Sequence, residues 1–274
     1  MTFPLSDADR RVADTAAADI LLEVSPVGVA TVTLNRPAKI NALTQAMCLR
    51  FGSIVSELSA REDIRCVVIT GAGNAFCPGA DIGEFAAARS TVAQARRFND
   101  IFHGAVETVP ACPHPTVAVI RGACVGGGLQ LACACDLRIA AEDAKFGVPV
   151  NRLGLAVDYR ELAPIVRIAG EAAAFEILLT GSVYRGEKAK QLGLVSHLVP
   201  PGELAAEAAR LVERIVQGAP LVNRWHKRFI RRLAEGRVLT PAELDEPFAC
   251  YETQDYAEGW RAFLEKRTPV FSGR

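Results

Sequence analysis

Arg121-Gly-Ala-Cys-Val-Gly-Gly-Gly-Leu-Gln-Leu-Ala-Cys-Ala-Cys-Asp-Leu-Arg-Ile-Ala140 is the stretch from which the rest of the chain can be read. Just before it, Pro115-Thr-Val-Ala-Val-Ile120 is short, apolar and β-branched, the pattern of a buried strand. After Gly128, residues 129–135 are small and apolar and predict a helix. The order is therefore strand, triple glycine, helix. Glycines at such a turn let a ligand approach the backbone and leave amide N–H groups aimed at whatever lies over the helix N-terminus. They also permit tight packing of helix on sheet, and the glycines alone leave both uses open.

Working outward, residues 20–24 and 27–34 read as two strands joined at Ser25-Pro26. Thr44 is placed to cap a helix running to Leu58, and residues 66–70 form an apolar strand of the buried kind. A second glycine-rich loop, Gly71-Ala-Gly-Asn-Ala-Phe-Cys-Pro-Gly79, follows. A helix is expected over residues 92–109, before Pro110, Pro113 and Pro115 draw the chain out. Beyond the central stretch, residues 137–140 and 145–147 read as short strands, 159–169 and 172–180 as helices, and 189–199 as a strand. Helical patterns then cover 203–217, 221–234, 241–250 and 255–264. Alternating strands and helices followed by a run of helices predict an α/β core with an added helical layer. The expected division is an extension over 1–18, polar and alanine-rich with little to pack, a core over 19–200, and a helical region over 201–274.

Half of the 274 residues are hydrophobic, enough for a large core, and 31 basic residues balance 31 acidic ones. That balance gives no reason to expect nucleic acid or an anionic membrane surface as a partner. No apolar run reaches the ~20 residues of a membrane span, and the acidic start of the chain lacks the apolar stretch of a secretory signal. A cytoplasmic location is expected. Eight cysteines without paired Cys-x-x-Cys spacing read as small buried hydrophobes, and the four histidines have no metal-ligand spacing, so no metal is expected.

Two glycine loops, Phe76-Cys-Pro-Gly-Ala-Asp-Ile82 and Cys124-Val-Gly-Gly-Gly-Leu-Gln130, each follow a buried strand and precede a helix. Together with residues 35–43, Phe146-Gly147 and Phe263-Leu-Glu-Lys-Arg267, they resemble the crotonase, or enoyl-CoA hydratase/isomerase, superfamily across residues 20–270. The resemblance implies an α/β fold, a spiral of ββα repeats with a C-terminal helical region that trimerises, as a homotrimer or a dimer of trimers. It implies acyl-CoA thioesters as substrates, with coenzyme A arriving as part of the substrate and no separate cofactor. The thioester oxygen would lie between the amides of Ala80 and Gly127, which stabilise an enolate. Ala38, Lys39, Ile40, Asp81 and Ile82 match the stretches along the nucleotide and pantetheine path, and Val125, Gly126, Pro149 and Val150 are further expected CoA- or substrate-binding residues. Phe263 and Lys266 match residues that reach a neighbouring subunit's coenzyme A.

Two departures bear on the reaction. Family hydratases carry glutamates where this chain has Gln130 and Val150, and neither can act as a base, so the two-glutamate addition of water is not expected. Asp158 stands where isomerase branches carry an acid. It is the expected catalytic acid/base for moving a double bond from the 3-enoyl to the 2-enoyl position, and equally a residue that can cap the helix from Tyr159. His103, with Asp158, echoes an aryl-CoA dehalogenase, and His103 and Gln130 are further candidates for catalysis. Arg160 and Glu161 are expected in a salt-bridged surface turn. The rival readings are a hydratase, a dehalogenase and a protein that binds acyl-CoA without turning it over.

Overall fold

The apolar runs become strands, and their order builds a spiral. In the computed structural model, which describes residue 3 and residues 5–274, the strands are β1 (Ile20–Val24), β2 (Val29–Leu34), β3 (Cys66–Gly71), β4 (Thr116–Ile120), β5 (Ala123–Val125), β6 (Leu137–Ala141), β7 (Lys145–Gly147), β8 (Val183–Arg185) and β9 (His197–Val199). One sheet has the order β1-β2-β3-β4-β6-β9, and the other β5-β7-β8. The β1–β2 hairpin is antiparallel, whereas every other pairing of the large sheet is parallel. Parallel strands covered on both faces must be apolar on both. β4 meets this demand with all five residues buried.

The helices are α1 (Asp7–Asp14), α2 (Gln45–Ser59), α3 (Phe85–Ala88), α4 (Val92–Ala111), α5 (Gly127–Ala134), α6 (Tyr159–Thr180), α7 (Gly186–Gln191), α8 (Leu204–Val216), α9 (Pro220–Leu233), α10 (Pro241–Asp245) and α11 (Gln254–Glu265). Alternation along β4 sorts the core into two layers. Ala118 and Ile120 join the larger cluster, with Val55 and Leu58 of α2 and Phe98 of α4. Val117 and Val119 face the other way, onto Leu204, Ala208 and Leu211 of α8. Successive turns also stack their short strands: Cys77 bridges Cys124 in parallel, and β5 pairs β7. Each turn thus adds one strand to the large sheet and one short segment to the second.

Local chemistry sets several ends. Thr44 accepts a hydrogen bond from the Met47 N–H at 3.1 Å and starts α2, and Thr91 with Gln94 closes a capping box on α4. Gly170, at φ +76°, breaks α6 into two helical pieces, at the point where the sequence separates 159–169 from 172–180. Seven of the eight cysteines are buried and all eight are unpaired, and burial pushes the Cys133 thiol up to about 11.

Three expectations are corrected. Residues 1–18 are not a bare extension. Ser6 caps α1, Ala13 and Ala16 are buried in the main cluster, and the Phe3 ring fills the space above Gly52 of α2 and Gly104 of α4. Met1, Thr2 and Pro4 lie outside the described residues. Small residues allow this close approach, and the polar composition of the segment hides it. Residues 189–199 are not one strand: α7 runs to Gln191 and only His197–Val199 pairs, with β6. Finally, β5 lies between β4 and the glycines, so the order is strand, strand, helix.

Candidate active site

The two glycine loops meet edge to edge. The Cys77 N–H donates to the Ala123 carbonyl at 2.7 Å, and the Val125 N–H returns a bond to the Cys77 carbonyl at 2.9 Å. On the other side, the Leu43 N–H donates to the Gly79 carbonyl and the Asp81 N–H to the Leu43 carbonyl, both at 2.8 Å. These bonds hold Ala80 and Gly127 on the wall of one cavity of about 180 Å³. Neither the Ala80 nor the Gly127 amide N–H has an acceptor among the described residues. Gly79, at φ +106°, makes the approach possible, since a Cβ there would stand 3.1 Å from the Gly127 nitrogen. The two amides therefore stand on the same cavity wall without a partner among the described residues.

Helix starts furnish the facing wall. Gln130, in the first turn of α5, is almost fully buried; its Nε2 donates to Glu161 Oε2 at 3.4 Å, a long bond, while its Oε1 is buried without a partner among the described residues. Val150, Pro149, Val125 and Gly126 also line the cavity, as does the exposed Ile82.

The two acidic residues at the head of α6 have different surroundings. Asp158 is the N-cap of α6: its Oδ1 accepts the Arg160 N–H at 2.6 Å and its Oδ2 lies 3.3 Å from Arg160 Nη2. Asp158 is not part of the cavity lining. Burial raises its pKa, but the Arg160 N–H and guanidinium outweigh that and hold it below the usual carboxylate range. Glu161, expected on the surface, lines the cavity instead with its side chain 12 % exposed, and among the described residues no lysine or arginine makes an ion pair with it. Burial pushes its pKa up, with only partial opposition from Gln130 and Arg89. Arg160 does occupy the expected surface turn, bonded to Asp100 at 3.0 Å.

His103 joins the two acids from α4. It is buried, its Nε2 stands 3.6 Å from both Asp158 Oδ1 and Glu161 Oε1, and burial followed by the Arg160 charge lowers its pKa. Its neighbour Phe102 reaches the cavity and packs 3.0 Å from where a Cβ on Gly127 would stand.

The remaining expected residues are spread more widely. Ala38, Lys39 and Ile40 are exposed and outside the cavity lining, in the segment before Leu43, which pairs with Ala80, and Asp81 is fixed by Arg36 at 3.0 Å. Phe263 is 82 % exposed on α11, Lys266 follows it at φ +55°, and neither lines the cavity. The sequence reading passed over Arg89, which stacks on two cavity aromatics. The signal available was Phe85-Ala-Ala-Ala-Arg89, an aromatic and a cation four apart on a helix.

Fold and site together describe a spiral α/β protein whose cavity sets a pair of unpartnered amides and, among the described residues, one half-buried carboxylate on its wall. The profile of the family Enoyl-CoA hydratase/isomerase matches residues 25–274, and the chain belongs to that family, with its crotonase-type fold. A crystal structure of an enoyl-CoA hydratase/carnithine racemase from Magnetospirillum magneticum superposes with a TM-score of 0.90 at 46 % identity, covering 94 % of this chain and 97 % of that one. The Bacillus subtilis protein YngF, named for enoyl-CoA hydratase/isomerase, is 35 % identical over 93 % of this chain and 98 % of its own length. A mitochondrial Delta(3,5)-Delta(2,4)-dienoyl-CoA isomerase of Dictyostelium discoideum is 31 % identical over 89 % of this chain and 87 % of its own.

Proposed function

We propose that this chain isomerises the double bond of an acyl-CoA thioester, with Glu161 as the single acid/base. The observation that carries this reading is that Glu161 is the one carboxylate on the cavity wall beside the free amides, while the neighbouring positions 130 and 150 hold glutamine and valine. Ionised Glu161 takes a proton from the α-carbon of a 3-enoyl thioester. The electron pair spreads into a dienolate whose oxygen accepts the Ala80 and Gly127 N–H bonds. Glu161 then returns the same proton to the γ-carbon, giving the 2-enoyl ester with no net loss of atoms. One donor aimed at such an oxygen contributes about 3–4 kcal/mol to the transition state. Raised pKa suits Glu161 to both halves of the exchange.

Under this reading Asp158 and His103 hold the head of α6 and the Glu161 carboxylate in place. Ala38, Lys39, Ile40 and Asp81 serve the coenzyme A path. A homotrimer would bring a neighbour's Phe263 and Lys266 to it, and the exposed Trp260, Phe263 and Leu264 support such an assembly.

A hydratase is the second reading, favoured by the unpartnered Gln130 Oε1, which can accept a hydrogen bond from a water that Glu161 activates. The test is incubation with 3-enoyl-, 2-enoyl- and 4-chlorobenzoyl-CoA, followed by mass spectrometry and ultraviolet absorbance, beside Glu161→Gln. The expected result is 3-enoyl to 2-enoyl conversion at constant mass, lost in the variant. Gain of one water by the 2-enoyl ester would replace the isomerase reading with the hydratase. Chloride release would replace it with a dehalogenase. Binding without change would leave a carrier of acyl-CoA.

A further inference from the structure

The cavity holds a cation that the proposed proton exchange does not use. Arg89 lines the wall with its guanidinium carbon 3.7 Å from the centre of the Phe98 ring and 4.7 Å from that of Phe85, both rings being cavity residues. A guanidinium stacked on ring faces keeps its N–H groups at the edge, free for in-plane bonds. None is used: the Arg89 side chain makes no hydrogen bond or ion pair with any described residue, and its Nε is buried without a partner. Arg50 and Arg224 also have a buried Nε without a partner among the described residues, but neither lines this cavity. The buried Arg138, by contrast, donates to the carbonyls of Leu194 and Cys135 at 2.9 and 2.8 Å. A half-buried cation without an acceptor can take one from a ligand that brings an anion to the cavity.

We propose that Arg89 is a specificity residue that selects acyl groups ending in a carboxylate, so that the substrates are CoA thioesters of dicarboxylic acids. The inference rests on the acyl-CoA reading of the same cavity. Two features favour a carboxylate over a neutral tail. The guanidinium fork matches the two oxygens of a carboxylate with parallel hydrogen bonds. The surrounding Phe85, Phe98 and Phe102 leave few groups to compete for those oxygens.

The test compares two saturated esters that cannot isomerise, glutaryl-CoA and pentanoyl-CoA, equal in acyl length and different in the terminal carboxylate. Their dissociation constants are measured by calorimetry on the full chain and on Arg89→Met and Arg89→Lys, each variant checked for an unchanged circular dichroism spectrum. The expected result is at least tenfold tighter binding of glutaryl-CoA by the natural chain, a preference reduced to about twofold or less in Arg89→Met and partly kept in Arg89→Lys. Equal binding of both esters, tighter pentanoyl binding, or an undiminished preference in Arg89→Met would overturn the assignment of Arg89 and leave the acyl-CoA reading standing. Failure of the natural chain to bind either ester would remove the acyl-CoA reading itself and this inference with it.

Discussion

Asp136 and Glu161 are both half-buried acids near helix ends, yet their surroundings are opposite. Asp136, just past α5, has its Oδ1 2.8 Å from Arg231 and its Oδ2 2.8 Å from Lys227, and it accepts the N–H and Oγ1 of Thr116 at 2.8 and 2.9 Å. Burial would raise its pKa, but Lys227 and then Arg231 prevail and hold it below the usual carboxylate range. Glu161 has one long bond from Gln130 and a half-buried arginine too far for an ion pair, so burial prevails and its pKa rises. A carboxylate held by Lys227, Arg231 and Thr116 fastens α9 to the sheet. One left short of partners remains able to take a proton.

That contrast can be broken at either end. The largest effect is expected from Glu161→Gln, which removes the proton acceptor and keeps the shape. The rate constant kcat/KM for the 3-enoyl ester should fall by about 10²–10⁴, the range for a positioned acid/base, with the circular dichroism spectrum unchanged. A loss below tenfold would return the chemistry to another group. Asp136→Asn should act on the fold instead, since it strands Lys227, whose side chain is 7 % exposed. A loss of about 3–5 kcal/mol in urea unfolding is expected, and a loss under 1 kcal/mol would show that the cluster is not structural.

Asp158→Ala sharpens the comparison within α6. Losing the N-cap should cost about 1 kcal/mol of stability, with kcat/KM lowered by less than tenfold. If it matched Glu161→Gln in activity, the acid/base role would belong to Asp158.

The smallest effect is on stability against pH. Because the folded-state pKa of Glu161 lies above its ordinary value of 4.5, the folded chain holds that proton longer than the unfolded chain does. Ionising it therefore costs stability as pH rises through that window. Glu161→Gln should melt at a higher temperature than the natural chain at pH 7, and this advantage should vanish below pH 4.5. Asp136 has the opposite sign, stabilising above the ordinary aspartate value of 3.8 and losing that contribution as pH falls. Activity should rise with pH through the raised Glu161 pKa, because the base must be ionised to start the reaction.

Much of the scaffold could be read in advance from local signals. The Thr44 cap and the apolar run at Cys66 each act within a few residues and appear close to their expected place, whereas α4 runs through Pro110 and ends only at Ala111, before Pro113 and Pro115. The division of α6 at Gly170 follows from the glycine itself. Signals that depend on a partner were harder to read. The β5 and β8 segments are three residues each and exist because β7 lies between them. Ala13 and Ala16 are buried only because α2 offers a surface to them. Glu161 belongs to the same class. The spacing Asp158-x-x-Glu161 has the form of a capping box, in which the glutamate would turn back to the backbone. Instead Asp158 caps, and the packing of α5 on α6 sets Glu161 against Gln130.

By itself, the sequence determined the family, the alternation of strands and helices, the two glycine loops and the absence of glutamate at positions 130 and 150, since these are fixed by residue type and short-range spacing. Tertiary structure alone decided which of the acids Asp158 and Glu161 meets the cavity and that Arg89 stands there unpaired. The reason is physical: a side chain's proton affinity and its want of a partner are set by desolvation and by neighbours brought from α3, α4, α5 and α6, and those distances do not exist until the chain has folded.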